Sequence, residues 1–448
     1  MHEQSQHPTD PPHPLSMLRG EFVWNGKYDE RGLKRMPDPS QLAESAREFE
    51  RFGSIGTGPQ GTLIHGNNSS VMSNLLDRYR GAIDLIYMDP PFDVGSQFHV
   101  STGSRATASD IVAYDDRWGN DMDSYACALH ERLVLARELL SEEGSIYLHC
   151  DWHCNWIVRA ILNEVFGPGQ FRNEIAWCYT SPGRNTSRFK PCHDTIFYYA
   201  RSGKPIWNRP QQELAAATLQ VSELKFAGQQ ATWKRTRTTK DMVDWWTIPF
   251  PTGSSERTGY PTQKPRELMR RIIEASSRPG SIVADFYCGS GSFAVAAHEL
   301  GRSWIACDAG APAIAIARCR VRDIAALGGS VGLQRLPSAI VDTPRSAGEP
   351  VIAAMDTSGE HVVIELVGGA DDSAIRAWSV GAIANDGVFE GTWHASRNRR
   401  TGALTCTVQL PVGDDLEQWH ARIIHHDGLM IDHKVRINTR LRARIAAE

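Results

Sequence analysis

Residues 83–92, IDLIYMDPPF, end an apolar run with a carboxylate, two prolines and an aromatic ring. Those residue types suit one kind of chemistry. An amine conjugated to a ring is a poor nucleophile, because its lone pair is delocalised. The Asp89 carboxylate and the Pro90 carbonyl can accept hydrogen bonds from the amine hydrogens. That favours a pyramidal nitrogen and stabilises the positive charge that grows on it. Pro90 and Pro91 restrict the backbone, so the acceptors are held in place before anything binds. Phe92 offers a flat face on which a planar ring can stack.

A second stretch, DFYCGSGSFA at 285–294, reads as a strand end, a glycine turn and a helix start. Such a turn lets backbone N–H groups and a helix N-terminus come close to a ligand. Gly289, Gly291 and Ala294 fit the G-x-G-x-x-A dinucleotide pattern. Asp308 closes the next strand, where a carboxylate can accept from ribose hydroxyls. Together these point to a nucleoside-containing cofactor. Ligands of doubly wound sheets sit at the carboxyl ends of strands. If the strands ending at Asp89 and Asp285 are neighbours, the two loops face each other across one cleft.

The elements that must position these residues alternate between strand and helix. Residues 62–65, 83–88, 145–150, 173–179, 194–200, 281–288 and 303–308 read as strands. Helical spacing appears after Ser69, which can cap a helix; over Leu129, Leu133, Ala136 and Leu140, ending near Gly144; over 156–166; from Thr262; after Gly291 through His298; and over 312–327. This alternation predicts a mainly parallel sheet with helices on both faces. Residues 201–260 break the pattern and are polar. Beyond a break near 342–350 the period becomes two, with strands expected at 361–366, 388–394, 404–410 and 422–426. The expected organisation is an N-terminal arm at 1–60, partly disordered; a catalytic part at 61–200; an inserted region at 201–260; a cofactor part at 261–342; and a C-terminal β-sandwich-like domain at 350–448.

The bulk numbers are those of an ordinary globular protein. The chain has 448 residues, 41% hydrophobic and 22% charged, with a formal net charge of −4. No apolar run is long enough to span a bilayer. Residues 1–14 have neither an apolar core nor a basic leader, and read as a tail rather than a signal peptide. Nine scattered cysteines fit a reducing, cytoplasmic setting. Residues 149–154, HCDWHC, invite a zinc reading. No second cysteine pair lies near, so they read as a strand end running into a helix, and no metal is expected. Two basic runs, RNTSRFK at 184–190 and KRTRTTK at 234–240, read on their own as solvated loops.

IDLIYMDPPF, DFYCGSGSF and TGYPTQKP together resemble the signature regions of S-adenosylmethionine-dependent amino-DNA methyltransferases. The match covers roughly residues 61–330. The catalytic motif precedes the cofactor motif, which resembles the β class that includes modification subunits of type III restriction systems. The resemblance implies a Rossmann-like doubly wound α/β sheet in permuted motif order, with an inserted target-recognition region and a small C-terminal β domain. It places Asp89, Pro90, Pro91 and Phe92 in the catalytic tetrapeptide. In the family, Asp at its first position usually accompanies N6-adenine, and Ser accompanies N4-cytosine. Asp285, Phe286, Cys288, Gly289, Ser290 and Gly291 match the cofactor loop, and Asp308 the acidic residue on the ribose. Thr262, Gln263, Lys264 and Pro265 match the segment that cradles the methionine end. Asn67 stands where relatives often carry Asp, beside the cofactor.

The same resemblance puts residues 180–260 where the target-recognition region belongs. Arg184, Arg188, Lys190, Lys234, Arg235 and Arg237 then become phosphate or base contacts to double-stranded DNA. It implies S-adenosyl-L-methionine as cofactor, a restriction subunit as partner, frequent homodimers and no membrane association. The leading expectation is N6-adenine methylation of a flipped base. N4-cytosine, an RNA base or a protein amine are other acceptors of the same chemistry. A non-catalytic DNA-binding subunit on the same fold is the reading from a different class.

Overall fold

The computed structural model describes residues 22–38, 50–56, 61–92, 97–102, 109–115, 122–180, 187–226, 229–251, 254, 256–325, 330–335 and the strands between 351 and 437. In chain order these form β1 (Glu50–Gly56), β2 (Gly61–His65), α1 (Asn68–Tyr79), β3 (Ile83–Met88), β4 (Gln97–Thr102), β5 (Ser109–Asp115), α2 (Met122–Leu139), β6 (Leu140–Cys150), α3 (Asn155–Phe166), β7 (Phe171–Cys178) and β8 (His193–Ala200). Next come β9 (Gln211–Phe226), β10 (Gln229–Asp241), β11 (Trp245–Thr247), α4 (Arg266–Ser276), β12 (Ile282–Asp285), α5 (Ser292–Glu299), β13 (Ser303–Asp308), α6 (Ala311–Ala325) and β14 (Ser330–Arg335).

The central sheet runs β11-β7-β8-β6-β3-β12-β13-β2-β14-β1. From β6 through β14 its neighbours are parallel, and β7 and β8 are antiparallel additions beside β6. The central strands are near-continuous apolar runs, because both faces are covered. In β3, Ile83, Leu85, Ile86, Tyr87 and Met88 are all buried. One core joins the sheet to α1, α2 and α3 through Val71, Leu133 and Ile161. The other joins it to α4, α5 and α6 through Ile272, Phe293 and Ile314. The sheet is therefore doubly wound, as expected. After β3 the chain goes on to β6, whereas after β12 it goes on to β13 on the other side. The switch point lies between β3 and β12, where such sheets bind ligands.

Four strands extend the sheet beyond β1 in the order Phe389–Ser396, Ile375–Ile383, Trp419–His425, Met430–Lys434. Four others, Thr407–Pro411, His361–Val367, Val351–Asp356 and Arg436–Ile437, form a separate sheet. The break expected near 342–350 lies outside the described residues. No helix among the described residues is long and apolar enough to cross a membrane.

Several local expectations are corrected. Leu140 opens β6 rather than ending α2. The strand expected over 281–288 ends at Asp285; Phe286 and Cys288 are buried in the turn that follows. The helix expected from Thr262 starts at Arg266, behind Pro265 in extended conformation. The cap of α1 is Asn67, not Ser69: its side-chain oxygen accepts from Ser69 N at 3.0 Å. The polar stretch after 201 contains a long antiparallel hairpin, β9–β10.

Candidate active site

The register places the two motif loops side by side. Leu85, Ile86 and Tyr87 of β3 pair with Val283, Ala284 and Asp285 of β12. Asp89 therefore leaves the sheet beside the glycine turn. Between them is a cavity of about 250 Å³. It is lined by the Asp89-Pro90-Pro91-Phe92 loop, by residues 285–290, by Asp308, and by Asn67, Thr262, Gln263 and Lys264. Gly291 and Pro265 are not in the lining; they cap α5 and α4 from just outside it.

The glycine turn is built for close approach. Gly289 has φ of +48°, and a Cβ there would come 3.0 Å from Tyr260 Cε1. Gly291 has φ of +76°, a left-handed conformation that side chains resist. Arg320 of α6 ties the turn to its surroundings, donating to Ser290 O at 2.9 Å and to Ser292 Oγ at 2.9 Å. Asp308 Oδ2 accepts from Gly289 N at 2.8 Å, and Oδ1 from Gly310 N at 2.8 Å. A carboxylate has about four acceptor directions, so one more donor can still be taken. Burial nevertheless raises the Asp308 carboxyl above its ordinary range, against the pull of those backbone N–H groups. Burial raises Asp285 well above that range too, and the nearby Asp89 and Asp308 charges add to it.

Asp89 is held unevenly. Oδ2 pairs with Lys264 Nζ at 2.5 Å. Oδ1 is buried and accepts no hydrogen bond. Beneath it lies His149, fully buried, with Nδ1 3.7 Å from Asp89 Oδ1. His149 Nδ1 is 2.9 Å from the Tyr87 hydroxyl, and Nε2 is 3.1 Å from Asp194 Oδ2. Tyr179 donates to the other Asp194 oxygen at 2.9 Å. Burial alone would raise Asp194, but His149, Lys264 and Tyr179 together outweigh it and hold the carboxyl below its usual range. The Phe92 ring lies 5.8 Å from the His149 ring and faces the cavity.

The sequence did not single out His149 as a support for Asp89. Its partner Asp194 is 45 residues away and meets it only through the antiparallel pairing of β6 with β8. The nearby His153 pairs with Asp151 instead, Nδ1 to Oδ2 at 2.6 Å. Among the described residues no group of three or more such side chains could hold a metal ion.

Arg188 and Lys190 are not among the residues lining the cavity. Arg188 is exposed, its guanidinium 4.7 Å from the Trp152 ring centroid, and Lys190 is half-buried. Lys234, Arg235 and Arg237 sit on β10 opposite Val221, Gln220 and Thr218. Arg184 lies outside the described residues.

The cavity passes a test of fit for S-adenosylmethionine. It offers a carboxylate with acceptor capacity for ribose hydroxyls, a turn opened by Gly289, and Asp89 in its wall, whose buried Oδ1 accepts no hydrogen bond. A family model described as DNA methylase matches residues 83–318, just over half of the chain. The chain is 28% identical over 363 residues to the type II methyltransferase M.EcaI of Enterobacter cloacae, covering 67% of this chain and 77% of that protein. It is 25% identical over 204 residues to the Mod subunit of the type III restriction-modification enzyme EcoPI of Escherichia phage P1, covering 42% of this chain and 31% of that protein. Among solved structures, the M1.HpyAVI–SAM complex matches at 17% identity and TM-score 0.40, over 58% of this chain and 98% of that one. The cytosine-N4-specific PvuII DNA methyltransferase matches at 15% identity and TM-score 0.42, over 60% and 89%. The chain belongs to the N6/N4 DNA methylase family, whose methyl donor is S-adenosylmethionine.

Proposed function

We propose that the protein is a site-specific DNA methyltransferase that modifies the N6 amino group of adenine in duplex DNA, after the base has rotated out of the helix. The observation that carries this is the Asp89 carboxylate, whose Oδ1 is buried without a hydrogen-bond donor on the wall of the cofactor cavity. A buried unpaired acceptor costs about 1–3 kcal/mol. An amino group that donates to it removes that cost at the moment of binding. Asp, rather than Ser, at this position is what favours adenine over cytosine.

When bound, S-adenosylmethionine supplies a methyl group activated by a sulfonium centre. The chain's residues do the rest. Asp308 accepts from the ribose, and the turn at Gly289 and Ser290 admits the nucleoside. Phe92 stacks on the flipped base and orients its amine. Asp89 Oδ1 and the Pro90 carbonyl take the two amine hydrogens, pulling the nitrogen out of conjugation and stabilising its developing charge. Asp89 Oδ1 then receives the surplus proton. Lys264 and the His149–Asp194 pair keep the carboxylate from turning away. Alignment of the amine supplies much of the rate.

In the same reading, residues 201–260 form the target-recognition region, and Arg184, Arg188, Lys190, Lys234, Arg235 and Arg237 contact DNA. Residues 1–60 are an arm, 61–200 and 261–342 make one methyltransferase domain, and 350–448 are a structural addition. A restriction subunit and a second copy of the chain are the partners it calls for. Expression in a host lacking its own DNA methylation, followed by mapping of modified bases, tests it. N6-methyladenine at one recurring motif is expected. N4-methylcytosine there would overturn the adenine assignment, and an unmodified genome would overturn the DNA assignment.

A further inference from the structure

Five charged side chains line the cavity: Asp89, Asp285 and Asp308 against Lys264 and Arg132. Most are engaged with neutral groups. Asp308 is held by the backbone N–H groups of Gly289 and Gly310, and Asp285 by that of Tyr287. Arg132 donates to Asn68 Oδ1 at 2.6 Å and to Ala128 O at 2.9 Å, and lies 3.7 Å from the carboxylate of Glu131, which is not part of the lining. Lys264 is different, because its ammonium pairs with a carboxylate of the same cavity, Asp89, at 2.5 Å. That ammonium also lies 5.8 Å from the Phe92 ring centroid. Its main-chain carbonyl accepts from Ser292 Oγ at 2.7 Å, at the first residue of the helix after the glycine turn. Lys264 thus links the glycine loop to the catalytic loop, with its charge spent on Asp89.

The family resemblance gives residues 262–265 to the methionine end of the cofactor. The geometry points to another task for Lys264: we infer that it offsets the negative charge of Asp89, so that the cavity does not hold the cationic methyl donor far more tightly than the neutral product. The inference rests on S-adenosylmethionine being the donor. The donor is a sulfonium cation and S-adenosylhomocysteine is a neutral thioether; amino-acid end, ribose and adenine are common to both. They differ only in the methyl group on sulfur and the positive charge it brings. A unit charge a few ångströms away in a partly buried site is worth about tenfold or more in affinity. With three carboxylates in the cavity, an uncompensated Asp89 would add to the grip on the cation and not to that on the product.

The test is equilibrium binding of S-adenosylmethionine and S-adenosylhomocysteine, each measured by calorimetry, to the full chain and to its Lys264→Gln and Lys264→Arg variants. The Gln variant should raise the ratio of product Kd to donor Kd by about tenfold, and the Arg variant, which keeps the charge, should hold that ratio within about threefold. Retained product binding shows that each variant is folded. If both ligands weaken together at an unchanged ratio, Lys264 holds the amino-acid end they share and the inference is overturned. Unchanged affinity for both overturns it as well. Failure of the unsubstituted chain to bind the donor would instead count against the donor assignment, and so is distinguishable.

Discussion

Tyr87 and Asp285 are register partners on adjacent parallel strands. That pairing sets the two motif loops side by side. It brings the residue two places after Tyr87, the Asp89 carboxylate, to the rim of the glycine turn that follows Asp285. The catalytic loop and the cofactor loop are distant in sequence but share one wall of one cavity.

Asp89→Asn should lower the single-turnover rate of methyl transfer by about 10²–10³-fold, the scale of losing one preorganised electrostatic contact in a transition state. S-adenosylhomocysteine binding should stay within about threefold, since the product's sulfur carries no charge for Asp89 to attract. A large loss of product binding would mean that Asp89 shapes the cofactor site rather than the reaction.

Asp308→Ala should weaken donor and product alike, by about 10–100-fold, the scale of hydrogen bonds to a charged group. The pH dependence has a definite sign. Burial raises the Asp308 carboxyl, so it takes up a proton at a higher pH than an ordinary carboxylate. Affinity measured by calorimetry should therefore begin to fall earlier on acidification than an unshifted Asp would dictate.

Asp285 is raised further, by burial first and by Asp89 and Asp308 second. A folded-state value above the unfolded one favours the folded protein when the group is protonated. That contribution is present at low pH and is lost as pH rises through the raised value. Asp285→Asn keeps the acceptor for Tyr287 N and removes the buried charge. Its Tm should exceed that of the parent by about 2–4 °C at pH 7, and the gap should close toward the ordinary carboxylate range. A lower Tm at pH 7 would contradict the account.

Gly291→Ala should destabilise the protein by about 1–2 kcal/mol, the cost of a non-glycine residue in the left-handed region. The new Cβ would also meet Ala317 Cβ at 3.0 Å, pressing α5 against α6. Thermal unfolding with and without S-adenosylhomocysteine would show both the lower Tm and a smaller shift on binding.

Much of this site was legible in the sequence, for physical reasons. Strands β3 and β13 are buried on both faces, so they appear as unbroken apolar runs between punctuating residues. The glycine turn carries its own constraint, because Gly291 needs φ above zero. What was not legible depends on long-range pairing or on polar structure. The β9–β10 hairpin is a polar stretch without clean apolar alternation, so it read as loop. His149 and Asp194 meet through strand register, which no local pattern encodes. The resemblance puts Asn67 beside the cofactor, because it stands where relatives often carry Asp. Its side chain caps α1, a contribution of about 1 kcal/mol to helix stability, while the residue also lines the cavity. Phe286 and Cys288 lengthened the expected strand, because burial in a turn looks in sequence like burial in a strand.

The central claim is that Asp89 and the cofactor cavity act together on an adenine amine in DNA. The most direct measurement is incubation of the chain with isotopically labelled S-adenosylmethionine and unmethylated bacterial genomic DNA, then digestion to nucleosides and mass spectrometry. The account predicts labelled N6-methyladenine that disappears with Asp89→Asn. Labelled N4-methylcytosine, or no label in DNA from a chain that binds the donor, would contradict it.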